Sequence, residues 1–291
     1  KKIVFRGGWE PSSSYLLLNY RDEGDGGFNS RQYLRQTLTV EEEKMHHGHA
    51  DENDISLLMD GGSVLLHDGG YRNGLPSGPY GSYRSDYFHN RLVVRKNKRD
   101  TLQAVRDFIR NSGAYRPVRT MKIDFIAGAE ADMSRTRVLD ATMGYVWDRS
   151  ITYLKEDGIY LVVDAVKSTV EDYLTHTLLW HTRQIHDRGP GWYDTSIDSI
   201  QSIALPADRR LLIQMLTRNA KTDGYYDEER HGQWEKAIYQ SQSSHYRPGD
   251  VEVFVTALIP HDAGADLAPL LGRISLLPPD PRGQGVGIRI C

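Results

Sequence analysis

Cysteine is almost absent from this chain of 291 residues: the single one is Cys291, the last residue, so no internal disulfide braces the fold and thiols say nothing about the redox compartment. Long apolar runs are missing as well. No stretch approaches the roughly 20 residues that a helix needs to cross a bilayer, so no membrane span is expected, and Lys1 to Arg6 have no signal-peptide core. There is no excess of positive charge either. With 36 Lys and Arg against 39 Asp and Glu, the formal charge is -3, which excludes a surface that grips nucleic acid as a whole; an acidic ligand must meet a local basic patch. Helical periodicity is scarce too. Only 100–111 (DTLQAVRDFIRN), with apolar Leu102, Val105, Phe108 and Ile109 and Asp100 as N-cap, reads as a short helix.

What the chain does have is period-two alternation broken by Gly, Asp and Asn turns. Strands are expected at 14–19, 55–59, 64–67, 90–95, 151–154, 159–164, 178–182, 211–216 and 251–258, and the 17 tyrosines suit such half-buried pleated surfaces. The expected class is all-β: a large antiparallel β-sandwich with one short inserted helix. The length allows one large β domain or a domain with an appendage. Residues 1–195 are expected to form the sandwich core with its metal site, and 196–291 its continuation or a small C-terminal β domain. The boundary falls in a softer stretch from Asp187 to Ser199, interrupted by Gly189, Pro190 and Gly191. Past Pro278 the Pro- and Gly-rich tail is expected to be irregular, with 288–290 as a final edge strand. The chain begins without Met inside a strand-like run, so an upstream segment, removed or carried on another chain, is expected.

The densest chemistry lies between His46 and His89. In an extended strand His47 and His49 share one face while His46 points away. A two-residue turn at Gly61 and Gly62 pairs Asp60 with Ser63 and, with no bulge, Ile55 with Asp68, returning Asp68 beside the HGH segment. His89 lies in a third strand-like run whose face carries Tyr87, His89, Arg91 and Val93. Two imidazoles and a carboxylate suit zinc, and His49, Asp68 and His89 are the expected ligands. The bland alternative is an HGH turn and an ordinary turn aspartate before Gly69 and Gly70. Asp51 is expected to be a solvated or capping carboxylate.

These residues carry a resemblance. His47-Gly48-His49-Ala50-Asp51, then Val64 to Tyr71 (VLLHDGGY), then Tyr87-Phe88-His89-Asn90 resemble, in order and approximate spacing, the signatures of the heparinase II/III-like polysaccharide lyases. Phe5 to Trp9 (FRGGW), Arg149 opening RSITYL, and Tyr160 to Asp164 (YLVVD) add to the likeness, which covers the first two thirds of the chain. The resemblance implies a structural zinc on His49, Asp68 and His89, with His47 as the catalytic histidine. The implied reaction cleaves a uronic-acid-containing acidic polysaccharide by β-elimination. The proton next to the uronate carboxyl is removed, the leaving sugar oxygen is expelled, and a tyrosine supplies its proton. His47, with an ordinary pKa near roughly 6.5, suits the base. Tyr71, on the Gly69 to Tyr83 loop, is a candidate catalytic residue lining the cleft, and Tyr80, Tyr83 and Arg91 are candidate substrate contacts, Arg91 opening the basic run RLVVRKNKR. In that family an N-terminal α/α toroid precedes the sandwich and supplies catalytic groups, and nothing in this chain resembles it; the toroid, in the same protein or on another chain, is thus an implied partner. The same likeness implies the bacterial periplasm or the outside of the cell.

Two other classes are open to the residues. A non-catalytic glycan-binding sandwich would use Trp9, Trp147, Trp180 and Trp192 as stacking platforms. A non-haem metal oxygenase of the β-barrel type would read His49, Asp51 and His89 as its ligand triad.

Overall fold

Alternating burial along the chain organises the molecule, a computed structural model whose described residues are 1–21, 50–68, 86–96, 118–217, 221–230, 232–278 and 285–291. In chain order the strands are β1 (Lys2–Arg6), β2 (Tyr15–Asn19), β3 (Asp54–Asp60), β4 (Ser63–His67), β5 (Leu92–Lys96), β6 (Arg119–Ala127) and β7 (Ala131–Asp140). Then come β8 (Tyr145–Leu154), β9 (Ile159–Ser168), β10 (Asp172–Thr182), β11 (Gln184–Gly189), β12 (Trp192–Ser196), β13 (Ser199–Ile200) and β14 (Ile203–Ala204). The last are β15 (Arg209–Met215), β16 (Thr222–Arg230), β17 (Gln233–Tyr246), β18 (Val251–Asp262), β19 (Ile274–Leu276) and β20 (Ile288–Ile290), with helix α1 (Leu267–Gly272) before β19. No helix among the described residues is long and apolar enough to cross a membrane.

The first sheet runs β1-β2-β3-β4, the second β16-β17-β10-β5 and the third, eight-stranded, β11-β12-β15-β18-β9-β8-β7-β6; β13-β14 and β19-β20 are two-stranded ribbons. All the pairings are antiparallel, giving the expected all-β sandwich. One apolar core joins the three main sheets: Phe5, Leu18 and Leu66 from the first, Leu92, Leu178 and Ile238 from the second, Trp147, Tyr160 and Phe254 from the third. Residues on both sides of position 195 share the third sheet. Its far face buries a second layer, with Leu161, Leu212, Ala257 and Ile259 under Leu270 and Leu271 of α1. Strand β9 is therefore covered on both faces, which is why IYLVVD reads as a continuous apolar run.

Several expectations are corrected. Gly189 and Trp192 are register partners in the β11-β12 hairpin, so the Gly-Pro-Gly stretch forms a tight turn. Residues 86–88 form a single 3-10 turn and strand β5 starts at Leu92, because the Asp86 carboxylate accepts from Arg95 at 2.7 and 2.8 Å and folds the segment back. The helix expected at 100–111 lies outside the described residues. Helix α1, capped by Asp266 through the Ala268 N–H, was not expected.

The β3-β4 hairpin turns at Gly61 and Gly62 with φ of 57° and 79°, as a two-glycine turn allows. Asp60 pairs with Ser63 and Met59 with Val64, but then Leu58 pairs with Leu66 and Leu57 with His67. A bulge at Leu65 lets two consecutive leucines, Leu65 and Leu66, both reach the core at 0% exposure. Asp68 consequently lies opposite Ser56, whose carbonyl accepts its N–H at 2.9 Å, and not opposite Ile55.

Arg149 and Asp164, register partners on β8 and β9, form an ion pair at 2.7 Å with both side chains fully buried. Trp147 Nε1 donates to the same carboxylate at 2.8 Å, and Arg149 also donates to the carbonyls of Asn53 at 2.6 Å and Asn90 at 2.9 Å. On β10, His176 is buried against Tyr246 (ring centroids 4.6 Å), and neither ring nitrogen has a partner among the described residues. Its pKa is pushed down to about 3 by burial and then by the Lys221 charge.

Two outcomes follow. Arg149→Met leaves Asp164 buried without its partner and is expected to cost roughly 3–5 kcal/mol of unfolding free energy in urea titrations, part of it recovered when Asp164→Leu is added; an unshifted midpoint would refute the pinning role. A histidine whose folded pKa lies below its unfolded value binds fewer protons when folded, so the stability it contributes is complete above pH 6.5 and drains away as pH falls toward 3. His176→Leu is therefore expected to gain about 2 kcal/mol relative to the parent between pH 7 and pH 5, read from paired urea curves at the two pH values; parallel losses in parent and variant would contradict it.

Candidate metal centre

Three segments meet where the first two sheets adjoin. Asp54 opens β3, Asp68 follows β4, and His89 sits between the 3-10 turn and β5. One donor atom from each lies within 4.8 Å of the other two, and this is the one such group found among the described residues. His89, fully buried, donates from Nδ1 to Asp68 Oδ1 at 2.5 Å.

Asp54 is fixed from both sides: its Oδ1 accepts the Asn90 N–H at 2.6 Å and its Oδ2 accepts from Ser56 Oγ at 2.7 Å. Burial and the neighbouring Asp68 push its pKa up to about 7. Burial alone would lower His89, but Asp68, Asp54 and Asp51 outweigh it and hold the imidazole at about 9. Clustered anions with a single cationic ring call for additional positive charge. The donor set of carboxylate oxygens and an imidazole nitrogen fits a divalent cation such as zinc.

Asn90 organises this corner. Its Nδ2 donates to the carbonyls of Ile55 and His67 at 3.0 Å each, and its Oδ1 accepts the His181 N–H at 2.7 Å, so one amide ties β3, β4 and β10 together. Asp51 is not solvated as expected. It is 0% exposed, accepting from Asn19 at 2.6 Å and from Arg21 at 2.6 Å, and it anchors the chain where residues 47–49 lead in. That commitment leaves Asp51 outside the converging group and removes the carboxylate of the oxygenase triad.

Beside the cluster, His67 donates from Nδ1 to the Asp68 carbonyl at 2.8 Å and accepts at Nε2 from Arg230 at 3.1 Å. Arg230 also pairs with Glu235 at 2.5 Å. Burial would raise the Glu235 pKa, but Arg230 and then His67 hold it at about 2.

Of the residues expected from sequence, Asp68 and His89 come together. His47, His49, Tyr71, Tyr80 and Tyr83 lie outside the described residues. Arg91 is corrected: it is 1% exposed, with its guanidinium committed to Glu52 and to the Ala50 carbonyl, so it is a core cation rather than a contact for a polyanion. Trp147 and Trp180 are fully buried and serve no stacking platform; Trp9 is 86% exposed. Sequence reading missed Asp54, hidden in the turn-like ADEND, although it is the polar residue that opens the apolar run ISLLM. Arg230 and Glu235 carried no local signal, since what places them beside His67 is the β16-β17 hairpin, 163 residues away in sequence.

Asn90→Ala should leave three buried backbone groups without their partners and cost about 3 kcal/mol or more, measured by urea unfolding with near-ultraviolet circular dichroism of the native state. A loss under about 1 kcal/mol would show that the amide does not hold the corner.

No family model matches the chain, and no curated protein matches it. Solved structures do. Heparan sulfate lyase HepC from Pedobacter heparinus aligns with a TM-score of 0.61 at 14% identity, over 95% of this chain and 37% of that one. The heparinase III BT4657 gene product aligns at 0.62 and 12% identity over 91% and 35%, and a crystal structure of heparinase III at 0.62 and 12% over 100% and 41%. The chain thus spans between 35% and 41% of the length of these proteins. At such identities the likeness shows the fold alone: the chain has a heparinase-like, lyase-related fold that corresponds to one part of those larger structures.

Proposed function

We propose that this chain is the β-sandwich portion of a polysaccharide lyase that cleaves a uronic-acid-containing acidic polysaccharide by β-elimination, with a structural zinc. The observation that carries the reading is the convergence of Asp54, Asp68 and His89 on one buried point within a heparinase-like fold. His89 and Asp68, together with His49, are the proposed ligands, and Asp54 is a fourth donor with lone pairs to spare. Four protein donors make a closed shell, which belongs to a structural rather than a catalytic ion. Two carboxylates and two neutral imidazoles also balance the charge of a divalent cation. When bound, the ion supplies charge neutralisation and cross-links three segments of the chain.

The chemistry falls to other groups. His47 is the proposed base that takes the proton next to the uronate carboxyl; the C–H electron pair forms the new double bond as the glycosidic C–O bond breaks. Tyr71 is the proposed donor of the proton to the departing sugar oxygen, and Tyr80 and Tyr83 are proposed contacts to the sugar. Arg91, buried and paired, has no part in this. Support for the larger partner comes from the coverage: the lyases of the same fold have more than half of their length outside the matched part, so an additional domain, the α/α toroid of the resemblance, completes the proposed enzyme.

The test is metal analysis of the purified chain, combined with ultraviolet absorbance of unsaturated uronates released from acidic polysaccharides with the complete enzyme. Asp68→Ala and His89→Ala are expected to lose the zinc and lower the unfolding midpoint. His47→Ala should keep zinc and fold while losing roughly 10²- to 10⁴-fold in turnover. Full metal content in both ligand variants would refute the centre, and undiminished turnover in His47→Ala would refute the base.

A further inference from the structure

On the face of the eight-stranded sheet turned away from the main core lies an open groove of about 490 Å³, between the β11-β12 hairpin and helix α1. Its residues come from the outward-facing positions: Trp192 is the register partner of Gln214 and Asp194 of Leu212, and Leu212 belongs to the outer apolar layer. The metal cluster is built from β3, β4 and the turn before β5, so the two sites share no element. The volume lies within the range of about 300–1,000 Å³ typical of small-ligand sites.

The groove is built rather than incidental. Trp192 packs half-buried against the outer layer with Leu271, and its indole passes so close to Gly189 that a Cβ there would stand 2.3 Å from Nε1. The indole is thereby fixed in place. Next to it, Asp194, almost fully buried, is held by Arg210 at 3.0 Å and by His261 at 3.1 Å. These contacts keep Asp194 an anion against the opposing effect of burial. Arg210, still partly exposed, lines the groove with a guanidinium that has N–H donors beyond the one given to Asp194. His186, exposed, donates or accepts at Nε2 with Ser196 Oγ at 2.8 Å, and partial desolvation and then Arg210 lower its pKa from the ordinary value. Asp187 and Asp266 add carboxylates at the rim.

An aromatic platform beside planar hydrogen-bonding groups recognises a ligand with one apolar C–H face and adjacent hydroxyls. That is the chemistry of a sugar ring. Three carboxylates against one guanidinium repel sulfates and uronates, and the carboxylates do not converge as metal ligands do. We propose that this groove binds a neutral sugar unit of a glycan, with Trp192 as the stacking surface and Asp187, His186 and Arg210 as the hydroxyl-recognising groups. The site is independent of the lyase reading. It lies on the outer face of the largest sheet, away from the main core.

The experiment is calorimetric titration of the intact chain with short neutral oligosaccharides of gluco, manno, galacto and xylo configuration, and with a sulfated and a uronate oligosaccharide as counter-probes. Asp187 and His186 are exposed, so Asp187→Ala and His186→Ala leave the fold intact, and circular dichroism verifies it. Saturable binding of at least one neutral oligosaccharide, weakened about tenfold or more by each substitution, is the expected result. No saturable binding of any neutral probe, binding indifferent to both groove substitutions, or stronger binding of the acidic probes at this groove would each overturn the proposal. The lyase assay of the complete enzyme is read separately, so failure of one reading does not imply failure of the other.

Discussion

A single buried cation does the most to fix the corner that matters. Arg149 sits fully buried on β8, neutralised by Asp164, and spends its remaining donors on the carbonyls of Asn53 and Asn90. Those two carbonyls belong to the residues just before Asp54 and just after His89. The guanidinium therefore clamps two members of the cluster to the third sheet, using the fixed fork of donors that a lysine lacks. The arrangement is costly, because a buried ion pair gives back in Coulomb energy little more than desolvation takes away. What it secures is geometry, since an alternative packing that separates the three partners leaves a charge stranded in the core.

The same logic recurs around it. Arg91 with Glu52, Arg95 with Asp86, Arg230 with Glu235 and Arg21 with Asp51 place further cations at the joint between the first and second sheets. Asn90 adds an amide whose donors and acceptor are all used. Leucines and valines hold the sandwich together, and a slip of one residue would already turn them to the wrong face. Polar groups inside add to that discrimination, because the same slip would orphan each of them. The bulge at Leu65 shows the two demands meeting: it buries an extra leucine and at the same time brings Asp68 opposite Ser56, within reach of His89.

The sequence was informative where side-chain alternation is clean and local. The strands around Leu17, Leu58, Ile151, Val162 and Val255, the glycine turn at Gly61 and the closing strand at Ile288 are all found near where the pattern puts them. It was silent for β17, whose Gln, Ser and Thr neighbours look like loop. There Thr175 and Ser243, and Thr177 and Ser241, pair hydroxyl to hydroxyl across the strands, a polar lining that alternation of apolar residues cannot reveal. The meeting of Asp68 and His89 was readable through ordered motifs, whereas Asp54 stood inside the turn-like ADEND, and the bulge that sets Asp68 opposite Ser56 is announced by no residue type. The basic run from Arg91 misled for a related reason: positive charge in a sequence does not say whether carboxylates such as Glu52 and Asp86 will fold over it.

These distinctions bear on how a chain with net charge -3 would serve the acidic-glycan chemistry proposed for it. Among the described residues near the cluster, Arg91, Arg95 and Arg230 are paired with internal carboxylates. Under the proposed function, attraction for a polyanion is left to other parts of the enzyme, while the sandwich contributes rigidity. A scaffold of this kind can be insensitive to the ligand it serves. Its outer face, with an indole and carboxylates, lies on other strands than the cluster, so the uncharged ligand proposed for it would be recognised by a separate set of residues.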